Sequence, residues 1–411
     1  MRPETTPPTR SSRRLLIIAS LTAVLFFGLP TTAYQQTLAG APIDIHVPIA
    51  PTPVHAGGKV ALAYELHITN FSSREFTLTG IDVTGDSTGA TPLVSYSGDA
   101  LTAVLNRPGV PRPPAPADGP PPAVDKRPIG GGLTAIARMW VTVEPGRVPA
   151  QLLHRLTFDY LDTAGAKQSL AVDAFDVTVA HAIPMVFSSP FEGGMWIAGN
   201  GPSNSSGHRT TIIPLNGRAR IAQRFAIDWV KFGDSGLPYH DDKTKNENWY
   251  GYGQPLHAVA DGTVVEVKDG IMENTPLSPT MAVPITYETI AGNHVVLDLG
   301  GGRFVLYAHM KPQSPRVRVG DRVKRGQVLG LLGNSGNSDA PHLHLHVTDG
   351  SSPLGAEGIP YVFERFDEIG VVTSIDELLE QGKPWKPAPA PIVTRTNEIP
   401  LENVMVRFPA K

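Results

Sequence analysis

The sequence contains no cysteine in 411 residues. That excludes structural disulfides, thiolate metal sites and a lipid anchor on an N-terminal cysteine. Charge is sparse as well: 18% of residues are charged, and 35 Lys+Arg against 38 Asp+Glu leave a net charge of -3. With a pI near 6.5, binding to nucleic acid through net positive charge is not expected. Aromatic residues are few, at 7%. The most apolar run, Leu15 to Leu29, falls short of the about 20 residues that a bilayer-spanning helix needs. The excess lies elsewhere. There are 41 Gly and 40 Pro, about a fifth of all positions against a background of roughly 12%. Both break helices, and glycine shows no period of three, so helical bundles and collagen are set aside. A turn-rich, mostly β protein with little helix remains, of two or three domains at about 100–200 residues each.

The N-terminus reads as an export signal. Arg2, Arg10, Arg13 and Arg14 precede the apolar run, and Pro30-Thr31-Thr32-Ala33 closes it with small residues. A basic region, a short apolar core and small residues make a secretory signal. Residues 1–33 are therefore expected to be a signal peptide, or an anchor that tethers the chain to the inner membrane through residues 15–29. In either case the remainder is expected in the periplasm or outside the cell.

Residues 40–182 read as an antiparallel β-sandwich. Val60 to Ile68, Phe76 to Val83, Ala135 to Val143, Leu156 to Leu161 and Ser169 to Val179 have strand composition or alternate apolar and polar residues, with turn signals between. The stretch 107–127 carries eight prolines, which cannot donate to a ladder, and is expected as an exposed loop. The scattered His46, His55, His67, His154 and His181 are read as structural. Residues 186–360 form a second β-rich domain, and 361–411 an extension with a short helix from Ser374 to Gln381 and an extended tail from Lys383 to Pro391.

Most of the chemistry sits in Pro341-His342-Leu343-His344-Leu345-His346-Val347. In a strand alternate side chains share a face, so three imidazoles line one side and the leucines and valine the other. One histidine on a strand is usually structural, whereas three in register point to metal binding or acid–base chemistry. Upstream lie Ala258-Val-Ala-Asp-Gly-Thr-Val264, Gly292-Asn293, Leu306-Tyr-Ala-His309, Val319-Gly-Asp-Arg-Val-Lys-Arg-Gly-Gln327 and the Gly-rich loop 333–336.

In that order, over residues 208–348, these pieces resemble the catalytic domain of the LytM/lysostaphin-type zinc metallopeptidases. The Gly-Asp-x-Val-x-x-Gly-Gln piece also occurs in biotinyl and lipoyl carrier domains, but no carrier lysine sits in a matching hairpin. The resemblance implies a β-sheet metallopeptidase core, duplicated-hybrid-motif-like, that holds one zinc ion and hydrolyses peptide bonds in peptidoglycan peptides. Carried over residue by residue, it implies Asp228 and His344 as metal ligands and His309 and His342 as the catalytic pair. One position departs from the pattern. Four residues before Asp228, where the family has its first ligand histidine, stands Arg224, and a guanidinium has no lone pair to give. His208 is the first substitute: a hairpin from His208 through Pro214–Gly217 to Ile227 would set it opposite Phe225. His240, in the loop 233–252, is the second. That loop is also expected to shape the substrate groove. His346 is read as a group behind the ligand or as a solvent-exposed residue, and His257 and His294 as structural. Two functions follow: an exported zinc endopeptidase, or a degenerate relative that binds the wall or regulates another hydrolase. Oligomeric state is left open.

Overall fold

The structure, a computed structural model, describes residues 41–86, 91–111, 124–379, 381–387 and 391–410. The signal segment 1–33 and residues 112–123 of the proline-rich loop lie outside the described residues. Among the described residues no helix is long and apolar enough to cross a membrane. The α-helices there are three short ones: Gly98–Val104, Gly207–Thr210 and Ile375–Leu379.

The first part of the chain builds two five-stranded sheets. One runs in the order Ile43–His46, Lys59–Asn70, Thr134–Val143, Leu105–Asn106, with Val54–Ala56 beside Lys59–Asn70. The other runs Lys167–Thr178, Gln151–Leu161, Phe76–Gly85, Val94–Ser97, with Pro128–Ile129 beside Phe76–Gly85. Alternation explains their packing. Leu62, Leu66 and Ile68 of the first sheet share one apolar cluster with Leu78, Ile81, Val83, Leu156 and Phe158 of the second. The strand Lys59–Asn70 is nevertheless buried along almost its whole length. Its other face, through Ala61 and Ala63, joins the core of the rest of the protein, and Glu65 lies on that same face by strand parity.

The remaining chain is organised around a ten-stranded antiparallel sheet. Its order is Arg322–Val323, Gly262–Lys268, Asn293–Asp298, Phe304–Met310, Leu343–Thr348, Ile227–Phe232, Gly194–Gly199, Val404–Phe408, Phe366–Val371, Val393–Arg395. One face carries Ile227, Trp229, Val305, Tyr307, Leu343, Leu345 and Val347 into the main core. The alternate residues on the same strands face the other way, and that face carries the histidines.

The extension after residue 360 pairs back into the sheets. Tyr361–Phe363 pairs in parallel with Met185–Phe187, and Val404–Phe408 pairs with both Gly194–Gly199 and Phe366–Val371. The proline run keeps Lys383 to Trp385 out of any ladder. Trp385 still docks, its backbone N–H donating to the Gly236 carbonyl at 2.8 Å and its indole N–H to the Val371 carbonyl at 3.1 Å.

Candidate metal centre

Four neighbouring strands of the large sheet bring the site together. Asp228 and His344 are direct cross-strand partners, His344 also faces Ala308, and Gly199 faces Asp228. Directly opposed residues share a face with their Cβ atoms about 4.5–5.5 Å apart. The register alone therefore sets the Asp228 carboxylate beside the His344 ring, and His344 Nδ1 lies 2.9 Å from Asp228 Oδ1.

His208 reaches the same point by a different route. The expected hairpin exists only as Ile213–Leu215 paired with Arg218–Arg220, so His208 is not set opposite Phe225. It sits instead on the single helical turn Gly207–Thr210, because Ser206, Thr210 and Thr211 fold back on local carbonyls and not across the hairpin. From there His208 Nε2 comes within 3.2 Å of Asp228 Oδ2. The potential ligand atoms of His208, Asp228 and His344 all lie within 4.8 Å of one another, the one such group among the described residues. His240 is not part of it. Its ring is exposed, with Nδ1 2.8 Å from Asp241.

Hydrogen-bond partners fix the tautomers, since a carbonyl oxygen can only accept. His208 Nδ1 donates to the Asn200 carbonyl at 2.9 Å, which turns the Nε2 lone pair toward Asp228 when the ring is neutral. His346 is fully buried, so the solvent-exposed reading of it does not hold. Its Nε2 donates to the Pro353 carbonyl at 3.0 Å, its Nδ1 accepts from His344 Nε2 at 2.8 Å, and His344 is left with a lone pair on Nδ1. That lone pair faces a carboxylate oxygen. Acceptors turned toward one another repel unless a cation or proton lies between them. Atoms bound to zinc at about 2.0–2.1 Å in a tetrahedron stand about 3.3 Å apart, close to the 2.9 and 3.2 Å separations here. The donor set of two imidazoles and one carboxylate thus fits a zinc ion, with Asn200 Nδ2 bracing Asp228 Oδ2 at 2.9 Å.

Electrostatics agree with this arrangement. Burial would raise the Asp228 carboxyl, but His208 and His342 hold it well below the usual carboxylate range. Burial lowers His344 and pushes His346 well below the ordinary imidazole range. Burial works most strongly on His208, to lower it, but the Asp228 charge and the hydrogen bonds to Asp228, Asn200 and Ala226 together raise the ring.

His309 and His342 flank this group. Their ring centroids are 4.7 Å apart. His309 Nδ1 donates to the Ser335 carbonyl at 2.8 Å and His342 Nδ1 to the Ala340 carbonyl at 2.8 Å. Each ring therefore turns Nε2 away from its carbonyl partner; His342 Nε2 lies 3.4 Å from Asp228 Oδ1. His309 has φ +61°, a backbone state that costs a non-glycine residue about 1–2 kcal/mol and that recurs at functional sites. The motif glycines explain how its support is built. A side chain on Gly292, at φ +59°, would collide with the Ser335 carbonyl, the group that accepts from His309. Burial drives His309 well below the ordinary imidazole range. Burial lowers His342 too, but Asp228 more than offsets it.

Arg224 does not approach the three ligand atoms. It is buried, with Nη2 2.8 Å from Glu65 Oε2 and 3.0 Å from Glu357 Oε2, and Nη1 donating to the Gly358 carbonyl at 2.8 Å. His257 and His294 bond the carbonyls of Gly326 and Gly292. The pair Asn200 and Glu65 was not anticipated. Their partners lie 28 and 159 residues away, and no local pattern announces either.

A cleft of about 620 Å³ opens over the histidines, within the size range of ligand pockets. Pro238 and Trp249 from the loop 233–252 line it, as expected for that loop, together with Phe232 and with Ile375 and Leu378 of the last helix.

Residues 249–355 match the model of peptidase family M23. The peptidoglycan DD-endopeptidase ShyA of Vibrio cholerae is 32% identical over 104 residues, 25% of this chain and 20% of that protein. The glycyl-glycine endopeptidase ALE-1 of Staphylococcus capitis is 34% identical over 94 residues, 23% of this chain and 21% of that protein. The chain thus spans about a fifth of the length of these curated relatives. Among solved structures, the catalytic domain of lysostaphin from Staphylococcus simulans shares 26% identity over 31% of this chain and 86% of that one, with a TM-score of 0.20. The family match includes His309, His342 and His344; His208, Arg224 and Asp228 precede it.

Proposed function

We propose, from the match of residues 249–355 to the model of peptidase family M23, that the chain is an exported zinc metallo-endopeptidase that hydrolyses peptide bonds in peptidoglycan. The observation that carries this reading is the convergence of His208, Asp228 and His344, which supplies three protein ligands although Arg224 occupies the usual histidine position. Three protein ligands with an open fourth position are the common pattern of catalytic zinc sites. Zinc there would polarise the scissile carbonyl and acidify water.

The chain's own residues do the rest. His309 and His342, held by Nδ1–H bonds to fixed carbonyls, keep Nε2 as the basic atom, that of His342 lying beside Asp228. One accepts the proton of the attacking water and then delivers that proton to the departing amine. The cleft, whose lining includes Phe232 and Trp249, is where the peptide would lie. The name of ShyA, a peptidoglycan DD-endopeptidase, supports peptidoglycan peptides as the substrate class, and that of ALE-1, a glycyl-glycine endopeptidase, supports peptide-bond hydrolysis.

Arg224 favours a second reading, a non-catalytic relative that regulates another hydrolase. The two separate cleanly. Purified protein should carry about one zinc per chain and release peptides from purified cell wall, with both properties lost in His344→Ala. A folded protein without zinc and without release would establish the second reading.

A further inference from the structure

We infer that the N-terminal sheet is a working part of the metal centre: it holds the substitute ligand His208 in place through the neighbouring Arg209, a positioning residue. This rests on the reading of His208 as a ligand.

The helical turn that carries His208 has four residues. Isolated helices of even 12 residues are marginal in water, so its geometry must come from what it touches. Those contacts are mostly with the first sheet. Arg209 is fully buried; its Nη2 donates to the carbonyls of Tyr64 at 3.0 Å and Met139 at 2.7 Å and lies 3.3 Å from Glu65 Oε1. Its guanidinium sits over the Trp140 ring at 5.5 Å. Asn106 Nδ2 donates to the Thr210 carbonyl at 2.9 Å. Just before the turn, Arg138 and Asn204 exchange two bonds, Nε to the Asn204 carbonyl at 3.0 Å and Asn204 Nδ2 to the Arg138 carbonyl at 3.1 Å. Tyr64, Glu65, Asn106, Arg138, Met139 and Trp140 all belong to three strands of that sheet.

Two further observations point the same way. Arg209 Nε and Nη1 are buried without an acceptor, an arrangement that good burial alone would not select and that a positional demand explains. In addition, one carboxylate serves both departures from the family pattern. Glu65 binds Arg224, which stands where a ligand is expected, and Arg209, which adjoins the residue that replaces it. A change that removes the sheet's hold should therefore act on metal affinity, although no atom of the sheet approaches the ligand group.

The test uses the full protein. Zinc affinity is measured by competition with a chromophoric chelator, and the visible spectrum of the cobalt(II)-substituted protein reports the ligand set. Arg209→Met should keep the near-UV circular dichroism of the fold, weaken zinc about 10–100-fold, as loss of an outer-shell partner typically does, and move the cobalt spectrum toward that of His208→Ala. Arg209→Lys should recover part of both. An Arg209→Met protein that is folded and retains wild-type affinity and spectrum overturns the inference. If that variant does not fold, Asn106→Ala decides: weaker zinc binding supports the inference, and unchanged binding overturns it. If His208→Ala itself binds zinc like wild type, the ligand reading fails; if His208→Ala loses affinity and the positioning variants do not, only the present inference fails.

Discussion

The two halves of the metal centre are held by different physics. Asp228 and His344 are cross-strand partners in the middle of a ten-stranded sheet, so the ladder that builds the fold also builds their contact. His208 stands on one helical turn whose place is set by side-chain bonds to another sheet. The first half needs only backbone register. The second needs particular residues at positions far apart in sequence. On the proposed reading, a metal site can draw one ligand from a neighbouring element, provided something fixes that element.

The largest expected effect probes the bond between the halves. Arg224→Ala leaves Glu65 and Glu357 buried beside fewer positive charges. Removing one partner of a buried ion pair typically costs about 3–5 kcal/mol, so chemical denaturation should show a loss of that order. The strand-borne Asp228–His344 pair should survive in the folded fraction. A loss below about 1 kcal/mol would mean that the network behaves like a surface pair.

The same contrast explains what could be read in the sequence. The alternation in His342 to Val347 and the strands of the first two sheets are local signals of period two, and the structure keeps them. Asp228 was reachable only through the family resemblance, because the residue four places before it is Arg224 and not a histidine. The path of His208 was not, because Gly207–Thr210 folds as a turn of helix under the influence of Arg209, whose partners lie 70 to 145 residues away. The strand Val404–Phe408 is apolar except for Arg407, so it carries no alternation by which to read it.

A smaller effect is expected behind the strand-borne half. His346→Leu removes the acceptor for His344 Nε2–H, which frees the ring to change tautomer. Zinc affinity should fall about 10–100-fold with little change in fold, measured by chelator competition. An unchanged affinity would show that strand register alone orients His344.

The smallest effect is a pH dependence. Burial raises the Glu65 carboxyl, but Arg224 and Arg209 more than reverse this, and its pKa is lowered. A lowered folded-state pKa contributes stability that is complete above the unfolded value, about 4.3 for Glu, and is lost as pH falls through the folded value. Thermal melts of metal-free protein should therefore fall between pH 5 and more acid conditions, and the fall should be shallower in Glu65→Gln. Equal slopes in both proteins would remove Glu65 from the acid response.

The central claim is that His208 takes the ligand place that Arg224 cannot fill. X-ray absorption at the zinc edge, compared between wild type and His208→Ala, tests it most directly. Two imidazoles and one carboxylate are expected at the metal in the wild type, with one imidazole lost and binding much weakened in the variant. The same imidazole count and the same affinity in both proteins would contradict it.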